Sequence, residues 1–487
     1  MSNYEKGSGR VLPGFLILLF FVEMWERFSY YGMRALLVLF LTSYIGFEDK
    51  NAYLVYSLFA AISYAFPILG GLLADKLMGF RSMVLIGGIV ITFGHIAMAL
   101  SENNTYLIFL GLSLIGVGTG LFKGNITNLL GACYKEGDPR RSQGFTLFYV
   151  GVNIGGFIAA VACGYVANIF GWHYGFGLAG VGMIFGMILF IKFQNILDDI
   201  GLSPRPDLIN KNFMGLKPFW LVFIGSILAA ALCAEALSHG GLFVNALKYF
   251  GVLILTFYLY LVYSSEPNLR PNLYVIAIMI IFLMIFFALE MQLGSLINLF
   301  TERNIEKEIF GISVPAAVSQ AINPVAVIVT GFILSIVVSM SKLLDVLRIF
   351  LSIVAMAVCF FILYAGCLSA GEDGQINYLF LVVSISLMSL GEIFIAPVVQ
   401  SYVSLLAPDK YKGLIVGMMM LSLAFSNLAG IVIAEFMAVP SIGGNVDVLQ
   451  SLEIYKAGFW DIAVFHIYLA VAFIPFGIYV YRVLKRA

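Results

Sequence analysis

Seven ionisable side chains lie in stretches otherwise too apolar to hold them: Glu23, Glu26, Arg27, Arg34, Lys123, Glu290 and Glu392. A charge at the centre of a bilayer costs about 2.5–3.5 kcal/mol on insertion scales, so such groups persist when paired or when they line a wet cavity. Four of them fall in one run. Their offsets of 3, 4 and 11 from Glu23 put them on one face of a helix. Tyr30 and Tyr31 follow Arg27 by three and four residues and continue the stripe. At 1.5 Å per residue the stripe runs ~16 Å along the axis, the depth of a central cavity. Lys123 sits within Gly118-Thr119-Gly120-Leu121-Phe122-Lys123-Gly124, and Glu290 and Glu392 stand singly in later runs. The amino-terminal half thus offers three cations and two carboxylates, while the carboxy-terminal half offers only the carboxylates Glu290 and Glu392. A cleft cationic on one wall and anionic on the other would orient a zwitterion. Protonating a carboxylate removes its hold on a neighbouring cation, so proton binding can bias two states of such a cleft.

The elements that position these residues follow from composition. Of 487 residues, 61% are hydrophobic and 11% charged, against about 25% charged in an ordinary soluble domain. The chain therefore needs a lipid bilayer around it. Fourteen apolar runs are long enough to cross as helices: 14–42, 52–76, 81–100, 105–131, 143–168, 174–193, 217–237, 243–263, 273–300, 312–340, 346–369, 377–405, 412–437 and 458–481. The runs are continuous, not alternating, which excludes a β-barrel. The first is too long and too charged for a signal-peptide core and reads as a mature span. Zero net charge gives no sign of a nucleic-acid partner. Cys133, Cys163, Cys233, Cys359 and Cys367 are scattered, without the spacing of a disulfide framework or a zinc site, so no metal is expected.

With both termini placed in the cytoplasm, nineteen of the 27 lysines and arginines fall on that side, Lys6 and Arg10 among them. Lys50, Lys248, Arg303, Lys307 and Lys456 fall outside. Arg27, Arg34 and Lys123 remain within spans. The chain divides into a six-helix bundle over 1–194, a linker with an extra helix pair over 195–270, and a second six-helix bundle over 271–487. The segment Gly70-Gly71-Leu72-Leu73-Ala74-Asp75-Lys76-Leu77-Met78-Gly79-Phe80-Arg81 resembles the loop between the second and third helices of the major facilitator superfamily. In that all-α fold the halves are pseudo-symmetric and substrate binds between them. Asp75 is expected to cap a helix or pair with Arg81.

The string Glu23-Met24-Trp25-Glu26-Arg27-Phe28-Ser29-Tyr30-Tyr31-Gly32-Met33-Arg34 closely resembles the ExxER[FY]xYYGxR signature of the proton-dependent oligopeptide transporters. Gly120-Leu121-Phe122-Lys123, Phe148-Tyr149-Val150-Gly151-Val152-Asn153-Ile154-Gly155, Asn323-Pro324, and Gly391-Glu392 followed by Pro397 resemble further elements of that family. The extra helix pair is typical of its bacterial members. The resemblance covers nearly the whole chain. It implies a symporter of the inner (plasma) membrane that takes up di- and tripeptides with protons; no further cofactor is expected, and because the two-half fold needs no partner to form its site, a monomer is expected to suffice. Matched positions then imply roles. Glu23, Glu26, Arg27 and Lys123 are the proton-coupling cluster. Arg34 and Glu290 form a gating salt bridge. Arg27, Arg34 and Lys123 meet the peptide carboxylate, and Glu392 and Asn323 its amine. Tyr30, Tyr31, Tyr64 and Asn153 hydrogen-bond its backbone.

Two departures bear on side-chain preference. The seventh helix of the fold reads Leu289-Glu290-Met291 where the family has an aromatic-Glu-Gln run. The eleventh reads Gly417-Met418-Met419-Met420 where a tryptophan is common, so pocket walls are softened by methionine. The alternative substrate is another small anion or zwitterion, such as nitrate or an amino-acid conjugate. An intramembrane enzyme is disfavoured, because no HExxH or GxSxG element is present and His95, His173, His239 and His466 stand apart. Glu235, Glu435 and Asp461 lie near span ends and carry no expected role.

Overall fold

A computed structural model describes residues 12–135, 137–213, 215–309, 311–337, 342–440 and 446–486; Lys6 and Arg10 lie outside them. Lipid offers no hydrogen-bond partner, so the apolar runs satisfy their backbone internally as helices. We number the long helices α1 (Gly14–Ser43), α2 (Asp49–Ala65), α3 (Phe80–Ala99), α4 (Thr105–Ala132), α5 (Arg140–Phe170), α6 (Trp172–Phe193), α7 (Pro218–Ser238), α8 (Gly240–Ser264), α9 (Arg270–Glu290), α10 (Ile322–Val337), α11 (Lys342–Leu368), α12 (Tyr378–Leu406), α13 (Lys412–Phe436) and α14 (Val448–Arg486). Helix α2 continues through Pro67–Leu73 and ends in a π-helical turn, Ala74–Met78. Among the described residues, thirteen spans hold an apolar 18-residue stretch with at most two charges. Helix α1 has the length, but every stretch of that size in it contains at least three of Glu23, Glu26, Arg27 and Arg34. It spans because those charges face the protein.

Two runs depart from expectation. The ninth breaks after Glu290 into a 3-10 turn, Met291–Gly294, followed by a short helix, Leu296–Asn304. The tenth opens on a hairpin that pairs Glu308–Ile309 with Ile312–Ser313 around Gly311. Pro315 lacks a backbone donor and precedes a 3-10 segment, Ala316–Ala321, before α10 begins. Apolarity alone does not distinguish these interruptions from helix.

Helices α1–α6 form one bundle and α9–α14 the other, with α7 and α8 between them. Helix α1 is wedged between α5 and α6. Helices α3 and α4 pack with their backbones nearly touching. A Cβ on Gly87 would stand 2.8 Å from Gly118 O, and one on Gly118 the same distance from Gly87 O. This small-residue seam fixes the height of Thr119 and Lys123 on α4. Helix α7 lies along α4, while α8 exposes Tyr249, Leu253, Tyr260 and Tyr263, a face that suits lipid.

The loop between α2 and α3 differs from expectation. Arg81 does not turn to Asp75. It donates through Nε to Ile200 O (2.5 Å) and through Nη2 to Asp198 O, while its N–H donates to Gly201 O (3.0 Å). Ser203 Oγ donates to Leu77 O (2.5 Å). The start of the linker is thereby bound onto this loop, and the nearby backbone carbonyls, with no helix to satisfy them, outcompete the carboxylate.

Replacing Gly118 with leucine is expected to force α3 and α4 apart and destabilise the fold by about 1–3 kcal/mol or more. A detergent thermal-unfolding midpoint equal to that of the unaltered protein would contradict the close seam.

Candidate functional site

The α1 stripe is buried as a unit: Glu23, Glu26, Arg27, Tyr30 and Arg34 all face inward. Arg27 is held between two carboxylates. Its Nε donates to Glu26 Oε2 (2.5 Å) and lies 3.4 Å from Glu23 Oε1. Its Nη2 meets the same Glu26 oxygen off the hydrogen-bond axis. Thr119 on α4 donates to the other Glu26 oxygen at 3.5 Å. The guanidinium also stands over the rings of Tyr30 (5.1 Å) and Tyr31 (5.9 Å). Helix α5 closes the cluster because Gly155 has no side chain; a Cβ there would meet Met24 O and stand 3.1 Å from Arg27 Cβ. Lys123 pairs with neither glutamate. Its Nζ sits 5.2 Å from the centre of the Tyr64 ring, which leaves a cation over an aromatic face with donors to spare.

Exposure separates the buried cluster from the cleft wall. Tyr31, Tyr64, Lys123, Asn323 and Glu392 are half-buried. Tyr149, one turn before Asn153 on α5, is 48% exposed although it lies in mid-bundle sequence. Asn153 donates to Tyr149 O at 2.9 Å. On the second half, Asn323 Nδ2 donates to Ser389 Oγ (3.0 Å) and to Glu392 Oε2 (3.5 Å). Pro397 has no N–H, so Ile393 O on α12 lacks its helical partner. Arg348 of α11 donates to that carbonyl at 3.1 Å and ties the Glu392 turn in place. The halves meet across Gly156, where a Cβ would lie 3.2 Å from Tyr31 and 3.4 Å from Pro324. Tyr31 of the α1 stripe and Pro324, the neighbour of Asn323, thus face the same seam between the halves.

A shallow depression at the face where α1 begins and α14 ends is lined by Asp138, Arg141, Phe145 and Tyr149, all of the first half. Hydrogen bonds from the Arg140 side chain and N–H hold the Asp138 carboxylate below its ordinary range. Among the described residues, every hydrogen bond between the two six-helix halves lies at the opposite face. Asn298 Nδ2 and Gln320 Nε2 donate to Ala35 O (2.8 and 3.4 Å), Tyr56 Oη to Met291 O (3.3 Å), and Tyr165 Oη to Ser313 O (3.3 Å). Arg303 grips Asp49 bidentately at 2.6 and 2.7 Å, and Val439 N–H donates to the same carboxylate at 3.0 Å. That pair is almost fully buried.

One expected contact is not formed. Arg34 and Glu290 make no ion pair; Arg34 Nε donates to Tyr56 Oη at 2.6 Å, and Glu290 Oε2 has no hydrogen-bond partner. The chain breaks helix immediately after Glu290, and the turn places a backbone carbonyl, not the carboxylate, at the end of the Arg34 contact. Sequence reasoning also missed Tyr56, Thr119, Ser389, Tyr149 and the Asp49–Arg303 pair. Asp49 and Arg303 carried a signal only as charges near span ends, and nothing in their spacing joins residues 254 positions apart.

Similarity to known proteins agrees with this geometry. Residues 81–449 match the POT family. The chain is 32% identical over 457 residues to dipeptide and tripeptide permease A of Escherichia coli strain K12, covering 93% of this chain and 89% of that protein. It is 31% identical over 465 residues to dipeptide and tripeptide permease B of Aeromonas hydrophila, covering 94% and 91%. A solved bacterial homologue of the human drug peptide transporters PepT1 and PepT2 matches with a TM-score of 0.81 at 26% identity, over 97% of this chain and 98% of that one. The expected major facilitator fold, two six-helix halves with an added helix pair, is thereby borne out.

Replacing Asp49 with alanine strands Arg303 in a buried site. Loss of one partner of a buried pair costs about 3–5 kcal/mol, so the detergent thermal midpoint is expected to fall sharply. Replacing Glu302, whose carboxylate is 40% exposed beside Lys307, is expected to change it little. Equal effects of the two substitutions would remove Asp49 from the closed face.

Proposed function

The chain belongs to the POT family, and from that premise we propose that it is a proton-coupled symporter importing di- and tripeptides by alternating access. It is a transporter, not an enzyme, and a multi-pass protein of the inner membrane. The observation that carries the substrate reading is the opposed polarity of the cleft: Lys123 with the Arg27–Arg34 stripe on one wall, Glu392 held by Asn323 on the other. A short peptide has a carboxylate and an ammonium a few ångströms apart and satisfies both walls. Nitrate would leave Glu392 without a cation. The names of the relatives, dipeptide and tripeptide permeases, point the same way.

In this reading the peptide carboxylate meets Lys123, with Arg27 and Arg34 behind it. Tyr30, Tyr31, Tyr64 and Asn153 address the backbone, and Glu392 with Asn323 takes the amine. These contacts use only what all short peptides share, so side chains are tolerated broadly. Glu23 and Glu26 carry the coupling proton, and no other cofactor takes part. With Glu26 ionised, Arg27 is held by two carboxylates. With Glu26 protonated, that hold weakens and Arg27 can turn to a peptide carboxylate. The proton and the peptide therefore favour the same state, the thermodynamic requirement for symport. The open face is cytoplasmic, as are both termini, and the described state releases substrate inward. The halves, 1–194 and 271–487, rock about the cleft, one copy of the chain sufficing.

Replacing Glu26 with glutamine is expected to abolish proton-driven accumulation while sparing counterflow exchange of peptide in proteoliposomes. Normal accumulation by that variant would remove Glu26 from coupling. N-acetylated dipeptides are expected to compete at least about tenfold more weakly than free ones, the loss of one buried charge-assisted contact. Equal competition would show that Glu392 does not bind the amine.

A further inference from the structure

Arg34, Tyr56 and the 3-10 turn after Glu290 form one contact that the transport reading does not use. Arg34 Nε donates to Tyr56 Oη (2.6 Å), and Tyr56 Oη donates to Met291 O (3.3 Å) in the opposite half. Met291 O is available because the helix changes register there. Ser295 N–H bonds Gln292 O at 3.1 Å, not the Met291 carbonyl an α-helix would use. The contact also needs a bare backbone at residue 294. A Cβ on Gly294 would collide with Tyr56 Oη and stand 2.9 Å from Arg34 Nε. Tyr56 is 1% exposed and Arg34 6%, so a phenol that can both accept and donate is the group that satisfies each side. Glu290 Oε2 and Arg34 Nη2 are both buried without hydrogen bonds. The guanidinium is thus hydrogen-bonded to a neutral hydroxyl, and the buried Glu290 carboxylate of the other half acts on it only through space.

We infer that Tyr56 is a positioning residue for the transport cycle: its phenol latches Arg34 to the Met291 carbonyl when the face opposite the termini is closed. The gate at this point is a guanidinium–phenol–carbonyl relay. Arg34 grips the second half through backbone, whose polarity no proton or peptide in the cleft alters. This deepens the reading of the cleft as a zwitterion site, but the latch can fail while that reading stands.

The test is the distance distribution between spin labels at Asn103→Cys and Glu372→Cys, exposed positions on closed-face loops of the two halves. It uses full-length protein in lipid nanodiscs, with the native cysteines replaced and no peptide present. Tyr56→Phe deletes only the hydroxyl and is expected to raise the ratio of open to closed populations at that face at least about threefold. Gly294→Ala, which crowds the same contact, is expected to shift it in the same direction. In an Arg34→Gln background, Tyr56→Phe is expected to produce no further shift. An unchanged distribution in both single variants would overturn the latch. So would a Tyr56→Phe shift of equal size with and without Arg34, since that would mean Tyr56 acts only through packing.

Discussion

A guanidinium with almost no access to water must be neutralised where it stands, and the rest of the site is built around that need. Arg27 is 1% exposed. Two carboxylates of its own helix reach it, and Thr119 from α4 steadies one of them. Taken as ionised, Glu23, Glu26, Arg27 and Lys123 sum to zero charge, which makes the group tolerable in a bilayer. Neutrality achieved with four ions is sensitive to any fifth. A proton on one glutamate or a carboxylate arriving at Lys123 upsets the balance, and the two changes offset each other. That compensation is the physical basis of the proposed coupling. The packing serves it: the Gly87–Gly118 seam sets the height of α4, and Gly155 brings α5 against Arg27.

The two ends of the α1 stripe have different surroundings. Around Arg27 the partners are the carboxylates of Glu23 and Glu26. Around Arg34 the partner is a phenol bonded to a backbone carbonyl. The neighbouring lock between Asp49 and Arg303 lies at the closed face, near the span ends. In the proposed cycle, proton binding and face closing would use separate groups on one helix.

Much of this was legible in the sequence because lipid makes it so. A charge inside an apolar run is anomalous on sight, and helical spacing places Glu23, Glu26, Arg27 and Arg34 on one face without a structure. Pairing across the fold was not legible. The Arg34–Glu290 bridge expected by resemblance gives way to Tyr56 because the chain leaves the helical register one residue after Glu290, a change no apolar run reveals. Asp75 and Arg81 are near in sequence, yet Arg81 binds linker carbonyls over a hundred residues away. Hydrogen bonds to backbone leave no mark on side-chain pattern, and Asp49 and Arg303 found each other only through tertiary packing.

The central claim, that one cleft binds a peptide and a proton together, is tested most directly by uptake of labelled dialanine. The protein would be purified into proteoliposomes bearing an imposed inward proton gradient, with and without a protonophore. Accumulation above equilibrium that the protonophore abolishes is the expected result. Accumulation indifferent to the protonophore, or none in protein shown to be folded, would contradict the claim.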